Sequence, residues 1–402
     1  MHNARVLAVH NYYQQRGGED QCFDDLVDIL RKRGHEVLTY TVHNDSIADR
    51  NRLGVAVGTI WNRRAARRMR QMLREFQPDV VHAVNTFPLL SPAVLATAKR
   101  AGIPTLIEVG NYRFACAGGV FIRDGQRCER CLHKALPWPA VAHRCYRQSL
   151  AGSIVTATAI SSQRILRTWT RATDWIICPS RSARQKLLQM GIPADRIIVK
   201  SHSLSYDPAM SRCAGETMMF VGRLSPEKGV TTLLEAWRLH PELPRLTIVG
   251  SGPLDDLVRN AADNDPRIGW LGALPVGQVH EQLGAANCLI VPSVVEETFG
   301  RVTVEAFARG TPVIGANLGA TAELISEGEN GFLFAPGDPD ALASTLLQFI
   351  RTPRHASLQM RQAARKTFEE RFTAEVHYKN LLELYARATQ NPRQSFSDET
   401  AI

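Results

Sequence analysis

Short apolar runs alternate with helical patterns twice over in this chain, and that alternation constrains its fold more than any other feature. In the first half the runs fall at residues 6–9, 36–41, 80–84, 105–109 and 175–178. In the second they fall at 218–221, 246–249, 269–271, 288–291 and 312–314. Helical spacing fills most of the gaps, as over residues 20–33, which close at Gly34. Continuous apolar runs indicate strands buried on both faces, and helices in the connections make them parallel. Two such series in 402 residues predict two doubly wound α/β domains in succession. The boundary is expected within 201–216, a polar stretch carrying Asp207-Pro208 and Gly215. The predicted organisation is a first domain over 1–205 with a cysteine-rich insertion at 114–147, and a second over 206–373. A final helix over 374–390 and a flexible tail over 391–402 complete the chain.

Charge separates the two series. Lys plus Arg is 48 against 39 Asp plus Glu, a net of +9. Residues 51–200 hold 24 basic and 7 acidic side chains, whereas residues 201–350 hold 9 basic and 18 acidic. The densest basic stretch is Arg63, Arg64, Arg67, Arg68, Arg70 and Arg74. Trp61, Ala65, Met69, Met72, Leu73 and Phe76 interleave at near-helical spacing, which makes a basic amphipathic helix. Such a helix is either a solvated arginine face or a face laid against anionic lipid. Nucleic acid is not an expected partner, because no aromatic-basic platform or reader motif accompanies the stretch. No run reaches the ~18 apolar residues of a membrane-spanning helix. The amino terminus lacks the cationic start and long apolar core of a signal peptide. The expected compartment is the cytoplasm, with the inner face of the membrane as a peripheral site.

Phosphate-binding chemistry concentrates where strands run into helices. The first junction reaches Gly17-Gly18 before a helix opening with Glu19-Asp20; glycine lets backbone approach a ligand, and a helix start favours an anion. Alone, a Gly-Gly pair equally describes a simple turn. The second junction runs Gly222-Arg223-Leu224-Ser225-Pro226-Glu227-Lys228-Gly229. Its Arg fork and Lys point charge suit a diphosphate, on a loop at the carboxyl end of a strand where open α/β sheets bind ligands. Gly250-Ser251-Gly252 makes another glycine turn at the same edge. Finally, Glu297 precedes a helix starting near Gly300, and Glu305 lies one or two turns along it. Both carboxylates then face one cleft, although acidic residues at a helix start also serve simply as caps.

With these residues in view, the chain resembles retaining glycosyltransferase family 4, enzymes of the two-Rossmann GT-B fold. The resemblance rests on Gly222-Arg223 with Lys228-Gly229, on Glu297 and Glu305, and on Gly310-Thr311-Pro312-Val313-Ile314 followed by Asn330-Gly331-Phe332-Leu333. It implies that Arg223 and Lys228 hold a donor diphosphate, that Glu297 contacts donor-sugar hydroxyls and that Glu305 binds the ribose. It also implies that the backbone of Gly222, Phe299, Gly300 and Arg301 approaches the donor, and that Gly17 and Gly18 lie near the diphosphate. The last helix crosses back to the first domain in such enzymes. The expected reaction moves a hexose-type sugar from a nucleotide-diphosphate sugar to a hydroxyl of a glycan or lipid-linked glycan, with retention, in surface polysaccharide or glycolipid assembly. No catalytic metal is expected. One departure stands out: Gly110, before Asn111-Tyr112-Arg113, occupies the place where many relatives carry a His. His10 and His82 are the candidates to substitute for it.

Four of the eight cysteines, Cys116, Cys128, Cys131 and Cys145, fall in the insertion. Cys128 and Cys131 have the two-residue spacing that lets both thiolates ligate one metal. A structural zinc is the favoured reading, with free thiols, or a disulfide or redox pair, as alternatives. Some bacterial family 4 members resemble this stretch, including Cys145-Tyr146-Arg147-Gln148-Ser149. Cys22, Cys178, Cys213 and Cys288 are scattered and read as packing residues. The rival functions are a nucleotide-sugar epimerase or other enzyme of the same fold, and a zinc-containing nucleic-acid-binding protein.

Overall fold

The structure, a computed structural model, describes residues 3–211 and 215–390. The tail expected at 391–402 and Cys213 lie outside the described residues. In chain order the strands are β1 (Arg5–Tyr12), β2 (Glu36–His43), β3 (Val80–Asn85), β4 (Thr105–Glu108), β5 (Ile122–Arg123), β6 (Gln126–Arg127), β7 (Trp175–Cys178) and β8 (Ile197–Val199). Then follow β9 (Met218–Val221), β10 (Leu246–Val249), β11 (Ile268–Trp270), β12 (Cys288–Val291), β13 (Val313–Ala316) and β14 (Gly331–Phe334). The first sheet has the order β2-β1-β3-β4-β7-β8 and the second β11-β10-β9-β12-β13-β14, and every pair in both is parallel. Strands β5 and β6 form a separate antiparallel hairpin.

Besides the hairpin strands β5 and β6, two strands of the main sheets lie outside the ten apolar runs read from the sequence. β8 is only Ile197-Ile198-Val199, set between Arg196 and Lys200. β14 opens on Gly331, where a Cβ would stand 1.9 Å from the Val313 carbonyl oxygen, so the close approach of β13 demands glycine. Both strands complete the outer edge of their sheets.

Alternation along each strand supplies the two covered faces. In the first sheet Leu7, Val9, Val81 and Ile107 join one buried cluster, while Val6, Ala8, Val80 and Leu106 join the other. The basic helix is Arg63–Phe76, started by Asn62, whose side chain accepts from the Ala65 N–H. Its Met69, Met72, Leu73 and Phe76 are buried in the core, and its six arginines are exposed.

The chain divides into two compact units: residues 1–121, 128–205 and 374–402, and residues 122–127 and 206–373. The hairpin of β5 and β6 therefore belongs with the second unit, although the rest of the insertion belongs with the first. The final helix, Ala374–Gln390, is part of the first unit, where Leu381, Leu384, Tyr385 and Ala388 are buried in the same cluster as Val6, Ala8 and Phe23. The Tyr385 hydroxyl meets His82 Nδ1 at 2.7 Å and fixes that helix to β3.

Candidate functional site

Strand order in the second sheet reverses between β9 and β12, because β10 and β11 add on one side and β12 to β14 on the other. Such a reversal opens a crevice at the carboxyl ends of the strands. The loop holding Gly222, Arg223 and Lys228 follows β9, and the loop holding Glu297 follows β12, so both border that crevice. Glycines lock the loops together. Gly229 has φ +71°, and a Cβ there would stand 1.7 Å from the Pro292 carbonyl oxygen. The Val294 N–H donates to the Glu227 carbonyl at 3.1 Å. Gly250, with φ +135°, lies against the Gly222 carbonyl, 1.8 Å from where its Cβ would be.

Charge in this crevice is distributed unequally. Arg223 is exposed, and among the described residues its guanidinium has no ion-pair or hydrogen-bond partner. Lys228 Nζ donates to Glu297 Oε1 at 2.9 Å, and the Ser293 hydroxyl donates to the same oxygen. Burial alone would raise the Glu297 carboxyl, but Lys228 and Ser293 hold it below the usual carboxylate range. Gly300, with φ +85°, starts the helix Arg301–Ala308. One turn in, Glu305 accepts from Arg301 Nε at 2.9 Å. Phe299 is buried with its ring 6.0 Å from that of Phe372, which leaves its backbone rather than its ring for ligand contact.

Several residues of this site went unrecognised in the sequence. Gly319, after β13, has φ +57°, and a Cβ there would come within 2.8 Å of Glu296 Cα and 3.2 Å of the Glu297 nitrogen. The Ala320 N–H donates to the Glu297 backbone carbonyl at 3.3 Å, so this third loop holds the Glu297 main chain. The available signal was a glycine directly after a strand in the same series. Ser293, the hydroxyl on Glu297, carried no such signal. His280 is buried and held down to about 4 by burial, then by the Arg301 and Arg309 charges.

Gly17 and Gly18 belong to the first unit, after β1. Neither has a left-handed φ, and no atom stands within 4 Å of a Cβ built on either. The fold does not require glycine at these positions; the pair leaves bare backbone at the start of the helix Gly18–Lys32. The Gly17 N–H donates to Asp20 Oδ2 at 3.0 Å, and Asp20 Oδ1 lies 2.8 Å from His10 Nε2. His10 and His82 are both fully buried, the first against Asp20 and the second between Tyr385 and Glu108, so neither substitutes for a side chain at Gly110.

Cys116, Cys128, Cys131 and Cys145 are partly buried, whereas Cys22, Cys178 and Cys288 are buried. Burial pushes the Cys131 thiol up to about 11, and Cys116, Cys145 and Cys128 add to the shift. The four sulfurs therefore share one neighbourhood. Among the described residues, however, no three His, Cys, Asp or Glu side chains form a ready-made metal-holding group. Protein contacts also anchor the insertion: Arg164 donates to the carbonyls of Cys131, Leu132 and Lys134, and Lys186 pairs with Glu129 at 2.9 Å. Tyr112, Ala115, Phe121 and Leu132 form a small core beneath it.

Two family models match the chain without overlapping. One, described as glycosyl transferase 4-like domain, takes residues 17–201; the other, glycosyl transferases group 1, takes residues 214–367. A GDP-mannose-dependent alpha-mannosyltransferase of Mycobacterium tuberculosis is 28% identical over 366 residues, covering 84% of this chain and 86% of that protein. A phosphatidyl-myo-inositol mannosyltransferase of Mycobacterium leprae is 33% identical over 198 residues, 47% of this chain and 53% of that protein. Among solved structures, Anabaena HepE in complex with UDP-glucose superposes with TM-score 0.66 at 17% identity, over 95% of this chain and 99% of that one. Sucrose-phosphate synthase from Thermosynechococcus elongatus gives TM-score 0.70 at 16% identity, over 95% and 98%. The fold is GT-B, and the chain is a glycosyltransferase with a glycosyl transferase 4-like first domain and a group 1 second domain.

Proposed function

We propose that this glycosyltransferase takes a hexose-type sugar from a nucleotide-diphosphate donor and transfers it with retention to a hydroxyl of a glycan or lipid-linked glycan. The observation that carries the reading is the unpaired Arg223 beside the Lys228–Glu297 pair at the strand-order reversal of the second sheet. Arg223 and Lys228 supply positive charge for a diphosphate, Glu297 accepts from sugar hydroxyls, and Glu305 accepts from the ribose. Gly17, Gly18, Gly222, Phe299, Gly300 and Arg301 offer backbone to the donor. In the proposed reaction the acceptor oxygen bonds to the anomeric carbon on the face from which the diphosphate departs. The bond from that carbon to the phosphate oxygen breaks, and the acceptor's proton passes to the leaving diphosphate. Fixed cations at the diphosphate stabilise the charge it gains. A thermal-shift panel of UDP, GDP and ADP with their common sugars tests the donor class. The anomeric configuration of the product, read by NMR, tests retention.

Acceptor and location form the second part of the reading. Among the described residues the six arginines of the helix Arg63–Phe76 have no ion-pair partner, and no helix is long and apolar enough to cross a membrane. Leu53 and Val57 of the neighbouring segment are 77% and 67% exposed, so apolar and cationic groups occur together on the first unit. That combination suits an anionic membrane surface at the inner face and a lipid-borne acceptor, as surface polysaccharide or glycolipid assembly requires. Sedimentation with anionic against neutral liposomes is the test; equal recovery with both counts against it.

A structural zinc on Cys116, Cys128, Cys131 and Cys145 completes the reading. The mutual influence of the four thiols on Cys131 supports it, since a cation would favour their thiolates. Purified protein without zinc, and with four titratable thiols in the insertion, would retire this element.

A further inference from the structure

Gly110 follows β4 in the first unit, and its backbone does not call for glycine, since its φ lies outside the left-handed region. A side chain there would instead have to displace Glu19. A Cβ on Gly110 would stand 2.4 Å from Glu19 Cγ, 2.4 Å from Oε1 and 2.6 Å from Cδ. The carboxylate of Glu19, reaching across from the first turn of the helix Gly18–Lys32, thus fills the space that a residue at 110 would use.

Its seat is built. The Tyr13 hydroxyl donates to Oε2 at 2.5 Å, and Asn111 Nδ2 donates to Oε1 at 3.1 Å and to Oε2 at 3.0 Å. Burial and the Glu19 charge raise the Tyr13 hydroxyl well above its ordinary range, so it stays a donor. Arg113 Nη1 donates to the same hydroxyl at 3.3 Å, and its guanidinium lies 4.6 Å over the Phe87 ring. A carboxylate offers about four lone-pair positions. Asn111 Nδ2 also lies 3.1 Å from the Tyr13 hydroxyl, so Tyr13 and Asn111 together engage at most three of these positions and leave at least one on Oε1. Glu19, Asn85, Phe87, Asn111, Arg113 and Trp169 line one cavity of the first unit. Arg113 Nε is buried there without a hydrogen-bond partner among the described residues. The cavity therefore sets the open Glu19 acceptor among polar side chains such as Asn85 and the aromatic rings of Phe87 and Trp169, which suits a hydroxyl-bearing group.

From this we infer that Glu19 is an acceptor-binding residue: Oε1 accepts a hydrogen bond from a hydroxyl of a sugar-type acceptor in this cavity, in the room that Gly110 leaves open. The inference rests on the nucleotide-sugar reading above. The test uses full-length protein, the nucleotide sugar it turns over, and octyl glucoside, galactoside and mannoside as acceptor probes. In Glu19→Gln and Glu19→Ala the KM for the best octyl hexoside should rise about 10- to 100-fold, the loss expected for a hydrogen bond to a charged group, while the donor KM moves far less. Gly110→Ala should reproduce that rise by displacing the carboxylate, and should add nothing in a Glu19→Ala background. Unchanged acceptor KM in both Glu19 variants overturns the inference, as does an additive Gly110→Ala effect or failure of the wild type to use any octyl hexoside while it still hydrolyses donor. No turnover of any nucleotide sugar by the wild type defeats the donor reading itself, and the inference with it.

Discussion

Lys228 Nζ and Glu297 Oε1 stand 2.9 Å apart, joining loops 69 positions apart in sequence on either side of the strand-order reversal in the second sheet. The pair places the two charges the proposed reaction needs within one hydrogen bond of each other. Removing Lys228 removes the charge that lowers the Glu297 carboxyl, while burial continues to raise it. Lys228→Met should therefore shift the acid limb of the pH–activity profile upward, because Glu297 then protonates at higher pH. A profile superimposable on that of the wild type would show the pairing to be irrelevant to turnover.

Arg223 offers a cleaner separation of function from folding. It is exposed and has no partner among the described residues, so Arg223→Ala should leave Tm within about a degree of wild type, as surface substitutions usually do. A lost hydrogen bond to a charged group is worth ~1.5–3 kcal/mol, so kcat should fall by about one to two orders of magnitude. Glu297→Ala should abolish most transfer as well while the protein still folds, although Lys228 then loses its carboxylate. Circular dichroism and steady-state kinetics on the same preparations check both.

Two glycine substitutions should behave oppositely. At Gly229 a Cβ would meet a backbone carbonyl at 1.7 Å in a left-handed conformation, so Gly229→Ala should cost about 3 kcal/mol or more and spread the Lys228 and Pro292 loops. At Gly17 nothing stands within 4 Å, so Gly17→Ala should fold normally and show any defect in donor KM alone. Thermal unfolding of the two variants side by side decides the matter.

Acidification should destabilise the second unit through His280. Its folded-state value of about 4 lies below the ordinary 6.5, so between those values the unfolded chain takes up a proton that the folded protein does not. The His280 contribution to stability is thus complete above about pH 6.5 and is lost as pH falls toward 4, in total on the order of 3 kcal/mol. Urea unfolding from pH 7 to 4 should show that slope, and His280→Gln should flatten it.

In the first unit, buried Glu108 faces Lys200 at 3.4 Å, His202 at 3.5 Å and His82 at 3.3 Å. Burial alone would raise its carboxyl, yet the Lys200 ammonium, followed by His202 and His82, holds it far below the usual range. Glu108→Gln strands the Lys200 charge in the interior and should cost about 3–5 kcal/mol. A Tm close to that of the wild type would mean that Lys200 finds another partner or loses its proton.

Much of the architecture was legible in residue order. Ten of the strands announce themselves as apolar runs; all but the edge strand β2 have buried residues, and a strand covered on both faces needs no polar alternation. The basic helix Arg63–Phe76 is equally plain in its spacing. β5, β6, β8 and β14 were not: the hairpin strands are two residues each, and a three-residue strand and one opening on glycine look like loop until the neighbouring strand is in place. Within the site, Arg223, Lys228, Glu297 and Glu305 stand out because charged side chains on glycine loops after strands are rarely placed for packing. Ser293 and Gly319 do not, because their relation to Glu297 exists only after β12 and β13 pair.

Residue order alone carries the two parallel sheets, their succession along the chain and the loops that hold charge, all of which follow from local periodicity and residue chemistry. Tertiary structure alone decided which charges meet. Lys228 meets Glu297, Glu108 is enclosed by Lys200 and two histidines, and Glu19 occupies the room left at Gly110. Each of these depends on contacts between residues far apart in the chain, set by strand order and by the closeness of backbone at glycines, and no local pattern encodes them.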